Sequence, residues 1–175
     1  MLPHLLFAIA AVAQLATAFP THNSPSAVKS ALKPSFCVYP DEFVVKDFQI
    51  WIPLEDNNRS TTINFSYSDQ TTHLETKCHF NETSINVAKS GQPARYACEL
   101  DWIHFIWQNN NLTLIEATCP YEEYRAKKEA AGWVIPNLTC FNSTRNSSKG
   151  AGSACSAAPR VESAVFTTMG PTPSK

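Results

Sequence analysis

An all-β fold, an antiparallel barrel or sandwich stapled by disulfides, follows from three features of this 175-residue chain. Short runs alternate apolar and polar residues with period two, turn residues separate those runs, and six cysteines stand behind an apolar N-terminal leader. One short charged helix is expected to interrupt the strands, with disordered ends on either side.

Leu5 to Ala18 is an unbroken run of Leu, Phe, Ala, Ile, Val, Gln and Thr ending in Ala16-Thr17-Ala18. Small residues at 16 and 18 suit signal peptidase, so residues 1–18 read as a secretory signal and the mature chain begins at Phe19. The segment Met1 to His4 departs from the usual pattern in carrying no Lys or Arg. The run is too short to span a bilayer comfortably, and no later run approaches that length. The end of the chain has no apolar tail of the kind a lipid anchor requires. Residues 19–36, rich in Ser, Ala, Lys and Pro, are expected to be disordered. Residues 37–155 form one secreted β domain of about 120 residues, enough for a single core. Residues 156–175 read as a low-complexity tail with one strand signal near Val161 to Thr168.

The elements follow in order. In Asp47 to Ile52, Phe48, Ile50 and Ile52 share a face. In Thr62 to Ser68, Ile63, Phe65 and Tyr67 point inward, while Thr62, Asn64, Ser66 and Ser68 point out. Leu74 to Phe80 turns Leu74, Thr76, Cys78 and Phe80 inward and His73, Glu75, Lys77 and His79 to water. Ala94 to Leu100 turns Tyr96, Cys98 and Leu100 inward and Arg95 and Glu99 outward. Two inward cysteines on neighbouring strands, joined through a turn near Ser90 to Pro93, predict a Cys78–Cys98 bond. Such a cross-link stabilises by ~3 kcal/mol in the chain-entropy model.

Trp102 to Trp107, a turn at Asn109 to Asn111, and Leu112 to Cys119 predict a hairpin, its first strand apolar on both faces. Tyr121 to Ala131 changes character: Glu122, Glu123, Arg125, Lys127, Lys128 and Glu129 among alanines predict a short solvated helix ended by Gly132. Trp133 to Cys140 resumes as strand. Its inward face holds Val134, Leu138 and Cys140, which leaves Trp133 and Ile135 on the other side with Asn137.

Seven Asn-x-Ser/Thr sequons begin at Asn58, Asn64, Asn81, Asn111, Asn137, Asn142 and Asn146, none with proline in the middle. Behind a secretory signal they predict a surface crowded with N-glycans. Asn64 falls on the polar face of its strand, so a glycan there leaves the core undisturbed.

Net charge is −1, with no basic block, which gives no expectation of nucleic acid or an anionic membrane as partner. Catalytic signatures are equally sparse. His22 lies three residues beyond the expected N-terminus, where a copper-dependent polysaccharide oxidase needs its first residue to be histidine. His73 and His79 flank a cysteine read as oxidised and are six residues apart on a solvated face; with no third ligand, no metal is expected. His104, between Ile103 and Phe105, reads as a hydrogen-bonded groove or core residue. Nucleophile elbow, phosphate-binding loop and facing carboxylates are all missing, so neither an enzyme nor a cofactor is expected.

The order of motifs resembles one family. Phe43-Val-Val-Lys-Asp-Phe48 soon after Cys37, Thr62-Ile-Asn-Phe-Ser-Tyr67 before Cys78, Arg95-Tyr-Ala-Cys98, a Trp/Phe strand, Leu112-Thr-Leu-Ile115 and Gly132-Trp-Val-Ile-Pro-Asn-Leu-Thr-Cys140 resemble the Alternaria major-allergen family of small fungal secreted proteins. The resemblance covers Cys37 to Cys155. It implies an antiparallel β-barrel or sandwich, no catalytic machinery, and fungus–host contact through a shallow surface that takes plant proteins or small phenolic ligands. It supports Cys78–Cys98 and implies Cys140–Cys155. It also implies that Cys37 links two subunits. Cys119, the seven sequons and the charged insertion stand outside the family pattern. Cys119 offers Cys37 a partner within the chain, so by exclusion Cys37–Cys119 is the third expected bond, and monomer and homodimer both stay open.

Four tryptophans, Trp51, Trp102, Trp107 and Trp133, are the remaining functional candidates. Core packing explains most tryptophans in a small β domain; Trp133 with Ile135 is the pair expected to face a partner. The expectation is a non-enzymatic secreted glycoprotein, effector or allergen-like, that contacts a host extracellular protein or a small apolar ligand. The alternative is a carbohydrate-binding or divergent carbohydrate-active protein.

Overall fold

A computed structural model describes residues 37–55, 57–119, 128–143 and 150–171. The expected signal peptide, the segment 19–36, Asn146 and the last residues of the tail lie outside the described residues.

Ten strands occur in the order β1 (Glu42–Pro53), β2 (Thr62–Asp69), β3 (Leu74–Phe80), β4 (Tyr96–Ala97), β5 (Ile103–Gln108), β6 (Asn111–Thr118), β7 (Lys128–Val134), β8 (Leu138–Ser143), β9 (Gly152–Ala157) and β10 (Val161–Pro171). Eight of them make one antiparallel path, β3-β2-β1-β10-β7-β6-β5-β4, with β9 and then β8 branching from β1. The path is a nearly closed, barrel-like sheet. Its two terminal strands are joined by Cys78–Cys98, by Glu99 N–H donating to Lys77 C=O at 2.9 Å and by Leu100 N–H donating to Thr76 Oγ1 at 2.9 Å.

Period-two alternation explains most of the interior. Ile63, Phe65 and Tyr67 of β2 and Leu112 and Leu114 of β6 are buried, as are Ile103 and Phe105 of β5. Aromatic rings meet inside the barrel: Phe65 and Phe105 pack edge-on at 5.2 Å, Phe48 lies 5.1 Å from Trp107, and Phe80 lies 4.5 Å from Tyr96. Each such side chain stabilises by roughly 1.5–3 kcal/mol relative to exposure. The hairpin between β5 and β6 turns through Asn109 and Asn110, with φ of 53° and 58°. Asparagine tolerates that left-handed pair, which the two-residue hairpin turn demands.

β1 departs from simple alternation. Phe43 and Val45 are buried, then Phe48 and Ile50, so the inward parity switches between them. The switch is a bulge: Asp47 adopts φ 52° and the register with β2 shifts between Lys46 and Gln49. Asp47 N–H is satisfied by Arg160 C=O at 2.7 Å, in the β9–β10 turn. There β1 changes partner, pairing β10 through Glu42–Lys46 and β9 through Gln49–Pro53. Ile52, expected inward with Phe48 and Ile50, is 43% exposed at the end of this second half.

Three further expectations are corrected. No helix occurs among the described residues: residues 128–131 of the expected helix belong to β7, and residues 120–127 lie outside the described residues. β7 is held by a continuous ladder to β6 and a bulged one to β10, and these nonlocal bonds override alanine's local helix preference. Gly132 therefore lies within a strand rather than ending a helix. A Cβ there would stand 2.4 Å from Val165 C=O and 2.7 Å from the Phe43 ring, so only glycine lets β10 come this close. Finally, the domain does not stop at Cys155: the strand expected near Val161 to Thr168 is β10, and it lies between β1 and β7 in the path.

All six cysteines are paired, as Cys37–Cys119, Cys78–Cys98 and Cys140–Cys155. None is left free to link two subunits.

Candidate functional site

The outer face of β5, β6 and β7 is built from cross-strand rows. Ile106, Thr113 and Trp133 form one, and His104, Ile115 and Ala131 the next. Glu129 follows on the same face of β7. Arg95, expected to be solvated, reaches across to it: Nη1 and Nη2 donate to the two Glu129 oxygens at 2.8 and 2.7 Å. Both side chains of the pair are nearly buried, at 14% and 15% exposure. Arg95 Nη2 also lies 2.8 Å from His104 Nδ1. Guanidinium can only donate, so Nδ1 accepts, and the imidazole is neutral with its proton on Nε2. Burial, then the Arg95 charge, lowers the His104 pKa to about 4. His104 is thus a half-buried, hydrogen-bonded residue that stays neutral across the physiological range.

Trp133 closes this face. It is 52% exposed, and Ile135, just past the end of β7, is 60% exposed. Pro136 between Ile135 and Asn137 is buried, which fixes the chain as it leaves the strand. The remaining tryptophans are tucked in: Trp51 is buried, Trp107 packs on the core, and Trp102 is half-buried. Trp133 and Ile135 are thus both exposed where β7 ends, Trp133 paired to β6 and one residue beyond the last pairing with β10.

A second polar region lies inside the barrel. Tyr67 O–H donates to Glu116 Oε2, and Asp69 stands near both. Asp69 Oδ1 accepts the Thr71 and Thr72 N–H groups at 2.6 and 3.0 Å, closing the β2–β3 turn. Glu116 and Asp69 are each 1% exposed. Burial pushes the Glu116 carboxyl up to about 7 against the opposing hydrogen bond from Tyr67, and burial likewise holds the Tyr67 phenol far above its usual value. An acid near neutrality beside a second carboxyl has the makings of proton-transfer chemistry, yet neither group meets solvent or substrate here. The sequence carried a signal for this cluster that went unused: with Leu112 and Leu114 inward, parity sends Glu116 and Thr118 inward too, as Tyr67 does Asp69.

A third region is a shallow groove of about 290 Å³ on the outer face of β1, β2 and β3, lined by Phe65 and Cys78 as well as by polar side chains. Asp47, Gln49, Asn64, Ser66, Lys77, His79 and Glu99 present polar groups to it. His73 and His79 are both exposed, as their strand parity requires. Among the described residues no group of three His, Cys, Asp or Glu side chains converges as a metal site.

The sequons fall in distinct settings. Asn58 is exposed in the β1–β2 loop, Asn64 is exposed within β2, and Asn142 is exposed on β8, which pairs only with β9. Asn81 is half-buried, its Oδ1 accepting Thr83 N–H and Oγ1 at 2.9 and 2.7 Å. Asn111 is half-buried where β6 begins. Asn137 is exposed and its Nδ2 donates to Ala158 C=O at 3.0 Å.

No protein-family model, curated protein or solved structure matches this chain.

Proposed function

We propose that this chain is an exported, N-glycosylated β-barrel that works by contact rather than catalysis, as an effector or allergen-like protein engaging a host extracellular protein or a small apolar ligand. The observation that carries this reading is the exposed pair Trp133 and Ile135 at the end of β7, Trp133 paired to Thr113 of β6 and Ile135 just past the strand. A scaffold gains nothing for its own stability by leaving an indole half in water. Covering it removes on the order of 100 Å² of apolar surface, about 2 kcal/mol of binding energy. Three disulfides fit an oxidising extracellular compartment. The order of motifs resembling the Alternaria major-allergen family points the same way. Against catalysis stands the placement of the titratable groups: Glu116 and Asp69 are sealed inside, and His104 is tied to Arg95.

The test is binding of the secreted protein to fractionated host extracellular proteins and to small phenolic ligands, compared with Trp133→Ala and Ile135→Ser. Weakening of at least tenfold in a variant that stays folded at the assay temperature supports the reading. Unaltered binding in both variants sinks it, as does an enzymatic activity that disappears on mutating a single acid or histidine.

A further inference from the structure

The groove over β1–β3 contains a sequon. Asn64 and Ser66 are the first and third residues of Asn64-Phe65-Ser66, and both line the groove because residues two apart on a strand share a face. Asn64 differs from the other exposed sequon asparagines. Asn58 and Asn137 sit in loops and Asn142 on an edge strand, whereas β2 is paired on both sides, to β1 and β3. Directly across from Asn64 stand Gln49 on β1 and His79 on β3. Directly opposed Cβ atoms lie about 4.5–5.5 Å apart, so anything attached to a side chain as short as asparagine must lie among these neighbours.

From this placement we infer that the groove is a saccharide bed, and that its occupant is the first N-acetylglucosamine of a glycan on Asn64. The inference rests on the export reading above. The linkage forms when Asn64 Nδ2 displaces a lipid pyrophosphate from C1 of the sugar. The amide gives up one proton, the pyrophosphate leaves with the bonding pair, and one N–H remains on Nδ2. The groove's size, about 290 Å³, lies at the small end of ligand sites and suits one or two sugar rings. Its lining matches sugar chemistry. Gln49 and Ser66 donate and accept, Lys77 donates, and Asp47 and Glu99 accept, so hydroxyls and the acetamido group find partners of both kinds. Two carboxylates, Asp47 and Glu99, against the single Lys77 leave a small negative excess, which does not favour an anion. Asn64 on the groove floor favours an attached sugar over a free one.

The experiment is expression of the full chain through a eukaryotic secretory pathway, with site-by-site glycopeptide mapping and timed glycosidase release from the native protein. Asn64 should be occupied, and its glycan should come off at least tenfold more slowly than that on Asn58. Both should be released at the same rate after denaturation. Gln49→Ala with His79→Ala, both at exposed positions, should speed release at Asn64 and leave Asn58 unchanged. A bare Asn64 on a chain that carries sugar elsewhere, or equal native release at the two sites, overturns the inference and spares the export reading. A bare Asn64 together with free N-acetylglucosamine perturbing the His79 NMR signals would assign the groove to an external saccharide and overturn the attachment. A chain that retains Met1 and carries no sugar at any sequon overturns both.

Discussion

Cys78–Cys98 and Cys140–Cys155 close loops of similar length, with separations of 20 and 15 residues, yet they do different physical work. Cys140 and Cys155 are direct partners in the β8–β9 ladder, so their bond repeats a restraint that hydrogen bonds already impose. Cys140 is exposed, and β8 pairs only with β9. Cys78 and Cys98 are buried and join the two ends of the eight-strand path, where β3 and β4 are not paired. Two backbone N–H bonds and the Phe80–Tyr96 ring contact are the other links at that seam. A cross-link matters most where the backbone has not already done its work.

The chain-entropy model, which sees only loop length, assigns the two bonds almost equal stabilisation of about 3 kcal/mol. The comparison is broken if replacing either pair by alanine costs the same. We expect Cys78→Ala/Cys98→Ala to be the most damaging change to the fold, losing about 3–5 kcal/mol in urea denaturation and raising proteolysis at the seam. Cys140→Ala/Cys155→Ala should lose only ~1–2 kcal/mol.

The closed wall also encloses Glu116, which ties its integrity to pH. Its folded pKa of about 7 lies above the ordinary value of 4.5, so the folded state holds the proton more tightly. The resulting stabilisation is complete below pH 4.5 and is lost as pH rises through 7. On the order of 3 kcal/mol should disappear between pH 4 and pH 8. Thermal melting across that range measures it, and Glu116→Gln should flatten the slope. A barrel that becomes more stable on going from pH 5 to pH 8 would contradict this placement of the proton.

Gly132→Ala sharpens the contrast from the other side of the barrel, where β7 and β10 meet most closely. The added methyl has to displace Val165 C=O and the Phe43 ring, and because a backbone atom is involved, repacking one side chain cannot absorb it. A loss of about 1–3 kcal/mol is expected. The same exchange at Gly170, where nothing lies within 4 Å, should cost far less.

What the sequence made legible was local. The faces of Ile63–Phe65–Tyr67 and Leu74–Cys78–Phe80, the Asn109–Asn110 turn and the inward cysteines 78 and 98 all follow from alternation over a few residues. Whatever depended on a distant partner was hidden. The parity of β1 reverses at Asp47 because β1 changes partner there, and no alternation within Asp47 to Ile52 announces it. Lys128 to Ala131 reads as helix by composition and is strand because β6 and β10 flank it. Arg95 reads as solvated until Glu129 arrives from a segment 34 residues away. Trp133 is exposed as its expected face required, but the strand expected over Trp133 to Cys140 is broken between β7 and β8, and Cys140, expected inward with Val134 and Leu138, is exposed; Gln49, Asn64 and His79 meet only once three strands are in register.

The smallest effect on the fold should come from Trp133→Ala, and that is where the comparison meets function. Trp133 lies on β7 opposite Thr113 of β6, one residue beyond the last pairing with β10, so the ladder holds its backbone while its side chain is half in water. Removing the indole forfeits only the half of its surface that the barrel already covers, and stability should fall by about 1 kcal/mol. A surface anchor truncated to alanine costs more than ~1 kcal/mol of binding, and often more than 2. The informative quantity is thus the ratio of two losses measured on one variant, binding over stability. A ratio well above one marks Trp133 as a contact residue held ready by the sheet. A large fall in melting temperature with binding unchanged would make it part of the barrel's packing and move the search for the contact surface elsewhere.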